Sequence, residues 1–172
     1  DEAYDEYLPE AGRSPSIGWI GRHPNLVVSR TFSKAYGLAA LRIGYGVMDP
    51  SVAALLDRVR QPFNVNALAQ AAAIAALADT AYVEESARIN REGMRALEAG
   101  LAQLRVPFVP SHGNFLLVEV GDGARVYGAL LRDGVIVRPV ANYGLPRFLR
   151  VTVGLPAENE RFLAALGRAL SR

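Results

Sequence analysis

Cysteine is absent from the 172 residues, which removes disulfide stapling and thiolate zinc sites and fits a reducing compartment such as the cytosol. Histidine is scarce: His23 and His112 stand alone in the sequence, each reads as an exposed loop residue, and no metal site is expected. Charge of one sign is lacking as well. Nineteen basic residues face seventeen acidic ones for a formal net charge of +2, and the basic residues are scattered, which is not the footprint of a nucleic-acid partner. Long hydrophobic runs are missing too. The most apolar stretch, Ala67 to Ala78, is alanine-rich and interrupted by Gln70, so it reads as a packed helix and not a membrane span. The residues from Asp1 onward show no basic-then-apolar secretory pattern, and a cytoplasmic location without a membrane partner is the expectation. Lysine is the most informative scarcity, because Lys34 is the only one in the chain.

What remains is an ordinary globular composition, 51% hydrophobic, long enough for one substantial core or two small ones. Asp1 to Tyr7 reads as the end of a strand and the turn after it. Residues 9 to 24 form a connection rich in Pro, Gly, Ser and Arg, with a short helix near Ser16 to Gly21. Asn25 to Arg30 and Leu41 to Val47 are short apolar runs of the kind buried in a parallel or mixed sheet. Asp49 and Pro50 open a helix as N-cap and first helical residue, with Val52, Leu55, Leu56 and Val59 at spacings of three and four. A second helix follows Asn66 and reaches about Ala78. A third, from about Thr80 to Leu104, sets Val83, Ala87, Met94, Leu97 and Leu101 on one side. Strands are expected near Pro107 to Val109 and at Asn114 to Val120, Val135 to Val137 and Phe148 to Val153, with helices at Ala124 to Arg132 and Ala157 to Leu170. The pattern fits part of a larger α/β domain over residues 1–80 and a small α+β domain over 81–172.

Lys34 lies in Ser29-Arg-Thr-Phe-Ser-Lys34-Ala-Tyr-Gly-Leu-Ala-Ala-Leu-Arg42-Ile-Gly-Tyr-Gly46. An amine just beyond a buried strand, among small, polar and glycine residues, can be presented to an aldehyde as a Schiff-base nucleophile. Arginine does not deprotonate for this task, and a chain that otherwise draws its positive charge from arginine does not require lysine here for solvation. Ser33 and Arg42 supply a hydroxyl and a guanidinium suited to a phosphate, and Arg30 can add a second positive charge. Asp1 offers the carboxylate that keeps a pyridinium nitrogen protonated. The set reads as a pyridoxal 5′-phosphate site. Taken alone, Asp1 and Tyr4 are better explained by a strand-end aspartate and a packed tyrosine, and it is Lys34 that favours the cofactor. Arg150, in Phe148-Leu-Arg-Val-Thr-Val-Gly154, sits on an apolar strand whose alternate residues should face inward, and a buried arginine needs an anion. Arg138 ends another apolar run, where an arginine is more often a plain surface residue. Asn114 and Asn64 serve either as site-lining or as turn residues, and Tyr143 as a loop aromatic with access to a substrate.

Six segments in order, D-E-A-Y, S-R-T-F-S-K-A-Y-G-L-A-A-L-R-I-G-Y-G, P-F-N-V-N, N-F-L-L-V, G-V-I-V-R-P and L-R-V-T-V-G, resemble the fold-type I, aspartate-aminotransferase-like superfamily. Within it they are most similar to the histidinol-phosphate aminotransferase family. This resemblance implies the carboxyl-terminal portion of a cofactor-binding large domain followed by a small α+β domain, in a family whose members are about twice as long. It implies that Lys34 holds the cofactor covalently and then moves the proton between the substrate α-carbon and the cofactor C4′ carbon. Ser33 and Arg42 would hold the phosphate, Asp1 the ring nitrogen, and Tyr4 the 3′-oxygen. Arg150 would bind the substrate α-carboxylate and Arg138 its phosphate, with Asn114 lining the site. The implied reaction is ping-pong transamination between L-histidinol phosphate and 2-oxoglutarate in histidine biosynthesis, by a homodimer. A related enzyme such as a threonine-phosphate decarboxylase shares the same lysine and arginines. The 172 residues by themselves are expected to be a non-catalytic piece.

Overall fold

The computed structural model describes residues 1–171, which gather into two compact units, Asp1–Ala87 and a second that begins at Arg88. In the first, β1 (Val27–Thr31) and β2 (Gly44–Met48) pair antiparallel, with Val28 opposite Val47 and Arg30 opposite Tyr45. Both strands start two or three residues later than the apolar runs suggest. Leu26 donates its N–H to His23 O and closes a turn, and Ala39–Leu41 is a short 3-10 turn. Arg42 ends that turn in the left-handed region at φ 55° and ψ 50°, a conformation costing a non-glycine residue about 1 to 2 kcal/mol. The opening residues are tied to β1 by one backbone bond, Glu2 N–H to Ser29 O at 2.9 Å, before a 3-10 turn at Asp5–Tyr7.

Helix α1 (Pro50–Val59) begins as its sequence dictates, with the Asp49 carboxylate accepting from Ser51 N–H at 2.9 Å and Pro50 in the first turn. Helix α2 (Ala67–Ala78) is capped by Asn66, whose side chain accepts from Ala69 N–H at 2.8 Å. Ala69 and Ala73, one turn apart, are buried. The larger residues of these helices, among them Leu55, Leu56, Leu68 and Ile74, are exposed.

Helix α3 (Thr80–Gln103) begins in the first unit and continues into the second. Val83 and Ala87 pack with Tyr4, Tyr7 and Ala35, and Met94, Leu97 and Leu101 belong to the core of the second unit. The helix stops in a Schellman arrangement, Arg105 N–H to Ala102 O and Val106 N–H to Leu101 O, with Arg105 at φ 56° in the place glycine usually takes.

The second unit is built on an antiparallel sheet in the order β3 (Phe108–Val109), β4 (Phe115–Glu119), β6 (Phe148–Thr152), β5 (Arg138–Pro139). Leu116 and Val118 of β4 and Leu149 and Val151 of β6 alternate into a core shared with Val126 and Leu130 of α4 (Gly123–Arg132) and Phe162 and Leu166 of α5 (Pro156–Leu170). Each fully buried leucine there is worth about 1.5 to 3 kcal/mol of transfer free energy. The apolar run 135–137 is not paired. Gly134, at φ 72°, ends α4 in a second Schellman arrangement, with Val135 N–H bonded to Leu130 O, so this run leads away from the helix and pairing starts only at Arg138.

Candidate active site

In the first unit the loop between β1 and β2 is folded over Phe32. That ring is 3% exposed and lies between Tyr36 and Tyr45 at centroid distances of 5.0 and 5.8 Å. The chain then turns at once. Ser33 N–H bonds to Thr31 Oγ1 at 3.1 Å, Gly37 N–H to Lys34 O at 2.9 Å, and Leu38 N–H to Phe32 O at 2.9 Å. Gly37 is needed twice over, since its φ is 71° and a Cβ there would meet Tyr82 Oη at 2.7 Å. Ala35, 1% exposed, anchors the turn, and Lys34 beside it stays half-buried. The Lys34 amine lies 5.7 Å from the centroid of the Tyr4 ring and, among the described residues, has no ion-pair partner. Arg42 Nη1 reaches Ser33 Oγ at 3.5 Å and Ala39 O at 2.7 Å, also without a carboxylate. Asp1 is exposed and uses Oδ1 to accept from Ala3 N–H at 3.0 Å, which shapes the turn that carries Tyr4.

The donor set fits pyridoxal phosphate: an amine against an aromatic ring, with no carboxylate competing for it, and a hydroxyl and guanidinium side by side where a phosphate needs both. Arg30 departs from its expected place. Its guanidinium is committed to Glu2, at 3.0 and 2.8 Å, and to Asp5, at 3.2 Å, and is not presented for a phosphate. Glu2 also accepts from the buried Ser16 hydroxyl. Burial alone would raise the Glu2 carboxyl, but the Ser16 and Arg30 bonds outweigh it and hold it below its ordinary value. Glu2 and Asp5 do not stand out in the sequence as partners of Arg30. The available signal is one arginine on a short buried strand facing a run of acids in the first six residues.

In the second unit Arg138 and Arg150 are direct cross-strand partners in the pairing of β5 with β6. Like charges opposite one another are unfavourable unless something between them is anionic. Arg150 is on the face opposite Leu149 and Val151, not on the core side that strand alternation suggests, and is half-buried because its guanidinium stacks 4.1 Å from the centroid of the Phe115 ring. Arg138 Nη2 donates to Tyr143 Oη at 3.0 Å. Phe115 as a platform is not legible without the register that sets Leu117 opposite Arg150. Asn114 has its backbone O bonded to Val153 N–H at 2.9 Å, while its buried Oδ1 has no hydrogen-bond partner among the described residues. A buried orphan acceptor of this kind is expected where a donor arrives from outside the chain. Asn64 is exposed and bonds Arg60 Nη1 at 3.4 Å, a turn contact.

A catalytic-type lysine on a tight turn beside a β-strand, with phosphate-suited neighbours, describes a class of cofactor enzymes, and the comparison with known families agrees. The family model for aminotransferase class I and II matches residues 1–166, and the chain belongs to that family. It is 62% identical over 174 residues to histidinol-phosphate aminotransferase 1 of Cupriavidus pinatubonensis, covering 99% of this chain and 46% of that protein. Among solved structures it is similar to the histidinol-phosphate aminotransferase of Sinorhizobium meliloti in complex with pyridoxal-5′-phosphate, with 35% identity, a TM-score of 0.89, and coverage of 99% of this chain and 48% of that one. The L-threonine-O-3-phosphate decarboxylase of Porphyromonas gingivalis is similar at 28% identity and a TM-score of 0.86, over 100% of this chain and 54% of that one. The chain thus spans about half the length of the curated relatives it matches.

Proposed function

We propose that the intact protein is a pyridoxal 5′-phosphate-dependent aminotransferase that exchanges an amino group between L-histidinol phosphate and 2-oxoglutarate in histidine biosynthesis. The observation that carries this reading is Lys34, the chain's one lysine, held by a tight turn against Tyr4 without an ion pair and next to the Ser33–Arg42 pair. The bound cofactor supplies an electron sink for the pair of electrons left on the substrate α-carbon when its proton departs. Lys34 would hold the cofactor through its amine and would move the substrate α-proton, as general base and then as general acid. Ser33 and Arg42 would hold the phosphate, the Asp1 carboxylate would favour a protonated ring nitrogen, and the Tyr4 phenol would serve the 3′-oxygen. Arg150, preset by Phe115, binds the α-carboxylate common to all substrates, Arg138 the phosphate peculiar to histidinol phosphate, and Asn114 lines the site.

Residues 1–80 are assigned to the cofactor-binding domain and 81–172 to the small domain. A cytoplasmic homodimer is part of the same reading, supported by the cysteine-free composition and by the exposed apolar residues of α1 and α2, which offer surface for assembly. Among the described residues no helix is long and apolar enough to cross a membrane. The decarboxylase alternative has less support, with 28% identity to that enzyme against 62% to the aminotransferase. The test is borohydride reduction of the intact protein with pyridoxal phosphate, followed by peptide mapping. The cofactor is expected on Lys34, and attachment elsewhere would remove the assignment.

A further inference from the structure

In the opening turn Asp1 and Tyr4 are the residues assigned to the proposed cofactor; Glu2 and Asp5, next to them in sequence, are both bound by Arg30. Arg30 itself lies on β1, four residues before Lys34. The link is reinforced from two directions. Glu2 N–H donates to Ser29 O at 2.9 Å, and the Glu2 oxygen left over from Arg30 accepts from Ser16, which is 8% exposed. Asp5 N–H closes the turn on Glu2 O at 3.1 Å, so Tyr4 is held between two fixed points. The side chains of Arg30, Glu2 and Asp5 are 24, 13 and 8% exposed, which places the network largely out of water.

A network of this kind adds little stability over an apolar replacement, because desolvation of the ions offsets most of their attraction. What it does enforce is geometry, since the guanidinium fork fixes two carboxylates in one arrangement. We propose that Arg30 is a positioning residue: by bridging Glu2 and Asp5 it ties the opening turn to the strand leading to Lys34, and so sets Asp1 and Tyr4 relative to the Lys34 amine. The role rests on the pyridoxal-phosphate reading of this site. It goes beyond that reading in assigning the arginine to the turn and not to the phosphate.

The experiment is a comparison of the intact protein with its Arg30→Gln and Arg30→Lys variants. Three quantities are read: pyridoxal phosphate affinity by fluorescence titration, the pH midpoint of the visible absorption of the lysine-bound cofactor, and thermal unfolding without cofactor. In Arg30→Gln the affinity should fall about tenfold to a hundredfold, as for loss of hydrogen bonds to charged groups. The absorption midpoint should move; the cofactor-free unfolding midpoint should fall as well, because Glu2 and Asp5 lose their partner, and it sets the temperature at which affinity and absorption are compared in the folded variant. Arg30→Lys should recover only part of the loss, because one ammonium does not reproduce the fork. Unchanged affinity and absorption midpoint in a folded Arg30→Gln variant would overturn the positioning role, as would full rescue by lysine. If Arg30→Gln does not fold, Glu2→Gln takes its place, since it keeps the size of the side chain and the Arg30–Asp5 bond. Weakened affinity with a shifted absorption midpoint in Glu2→Gln then supports the role, and no change in either overturns it. Failure of the unaltered protein to develop the visible band would overturn the pyridoxal-phosphate reading, and the positioning role with it.

Discussion

The second unit holds a continuous cluster of sixteen buried apolar residues under its sheet, whereas the buried cluster beneath the Lys34 turn consists of Tyr7, Ala35 and Ala87. In the second unit burial does the holding, and the proposed substrate arginines lie on the sheet face away from that core. In the first unit the equivalent work is done by directional bonds: Thr31 to Ser33, Arg42 to Ala39, and Arg30 to Glu2 and Asp5. A site held by polar bonds can keep a short-lived proton-transfer geometry without a large core beneath it, but its tolerance to polar substitution is small. A scaffold held by burial has the opposite sensitivity.

The largest effect expected from this contrast is on turnover. Lys34→Arg in the intact protein should lower kcat by at least about a thousandfold, because a guanidinium neither condenses with the aldehyde nor moves the proton. Its unfolding midpoint should change little, since Lys34 has no ion pair to lose among the described residues. Steady-state kinetics and calorimetry on one preparation check both halves, and near-normal turnover would sink the lysine's assigned role. In the second unit the expected damage is to stability. Leu166 is fully buried, and Leu166→Ala should cost about 2 to 5 kcal/mol. Leu55, 59% exposed on α1, should cost no more than about 0.5 kcal/mol when replaced by Ala in the 172-residue chain. Urea unfolding measures both. An equal loss at Leu55 would mean that α1 is covered and that the contrast between the units is smaller than the buried clusters imply.

A smaller effect separates the two arginines that face each other on β5 and β6. Arg150→Gln should weaken every amino and oxo acid tested, and Arg138→Gln the phosphorylated substrate alone, each by about ten- to a hundredfold in kcat/KM. Equal losses for phosphorylated and unphosphorylated substrates in the Arg138 variant would remove histidinol phosphate from the proposal and leave only the broader family.

Local signals carry far into this structure, and they stop where the chain meets itself. Asp49 with Pro50, and Asn66, start their helices where capping chemistry says they should, and the positions from Val83 to Leu101 all pack as their spacing of three and four requires. The strand expected at 135–137 does not form, because the Schellman turn at Gly134 uses that apolar run as its exit. Arg30 looks available for a phosphate in the sequence because linear order hides that Glu2 and Asp5 return to it. The facing of Arg138 and Arg150, and the ring under Arg150, depend on sheet register, which no single segment encodes.

The subtlest difference between the units is in their response to acid, and it turns on two carboxyls shifted in opposite directions. Glu2 titrates below its ordinary value of 4.5 in the folded chain, so its contribution to stability is complete above that value and is lost as pH falls through the depressed folded value. Burial pushes Glu6 the other way, and its Oε2 is buried without a hydrogen-bond partner among the described residues. The charged Glu6 therefore costs stability above its raised folded value, and the cost is relieved as pH falls toward 4.5. Glu6→Gln should stabilise the first unit at pH 7, and the gain should vanish in acid. Glu2→Gln should do the reverse, losing stability at pH 7 and converging on the parent as Glu2 itself becomes protonated. Hydrogen exchange resolved by region, from about pH 3 to 7, is the measurement, because both changes should appear in β1 and the opening turn and leave β4 and β6 alone. A loss at neutral pH in Glu6→Gln would mean that the carboxylate is satisfied by a partner from outside the chain, and the first unit would then be less dependent on its own polar bonds than the comparison with the second unit implies.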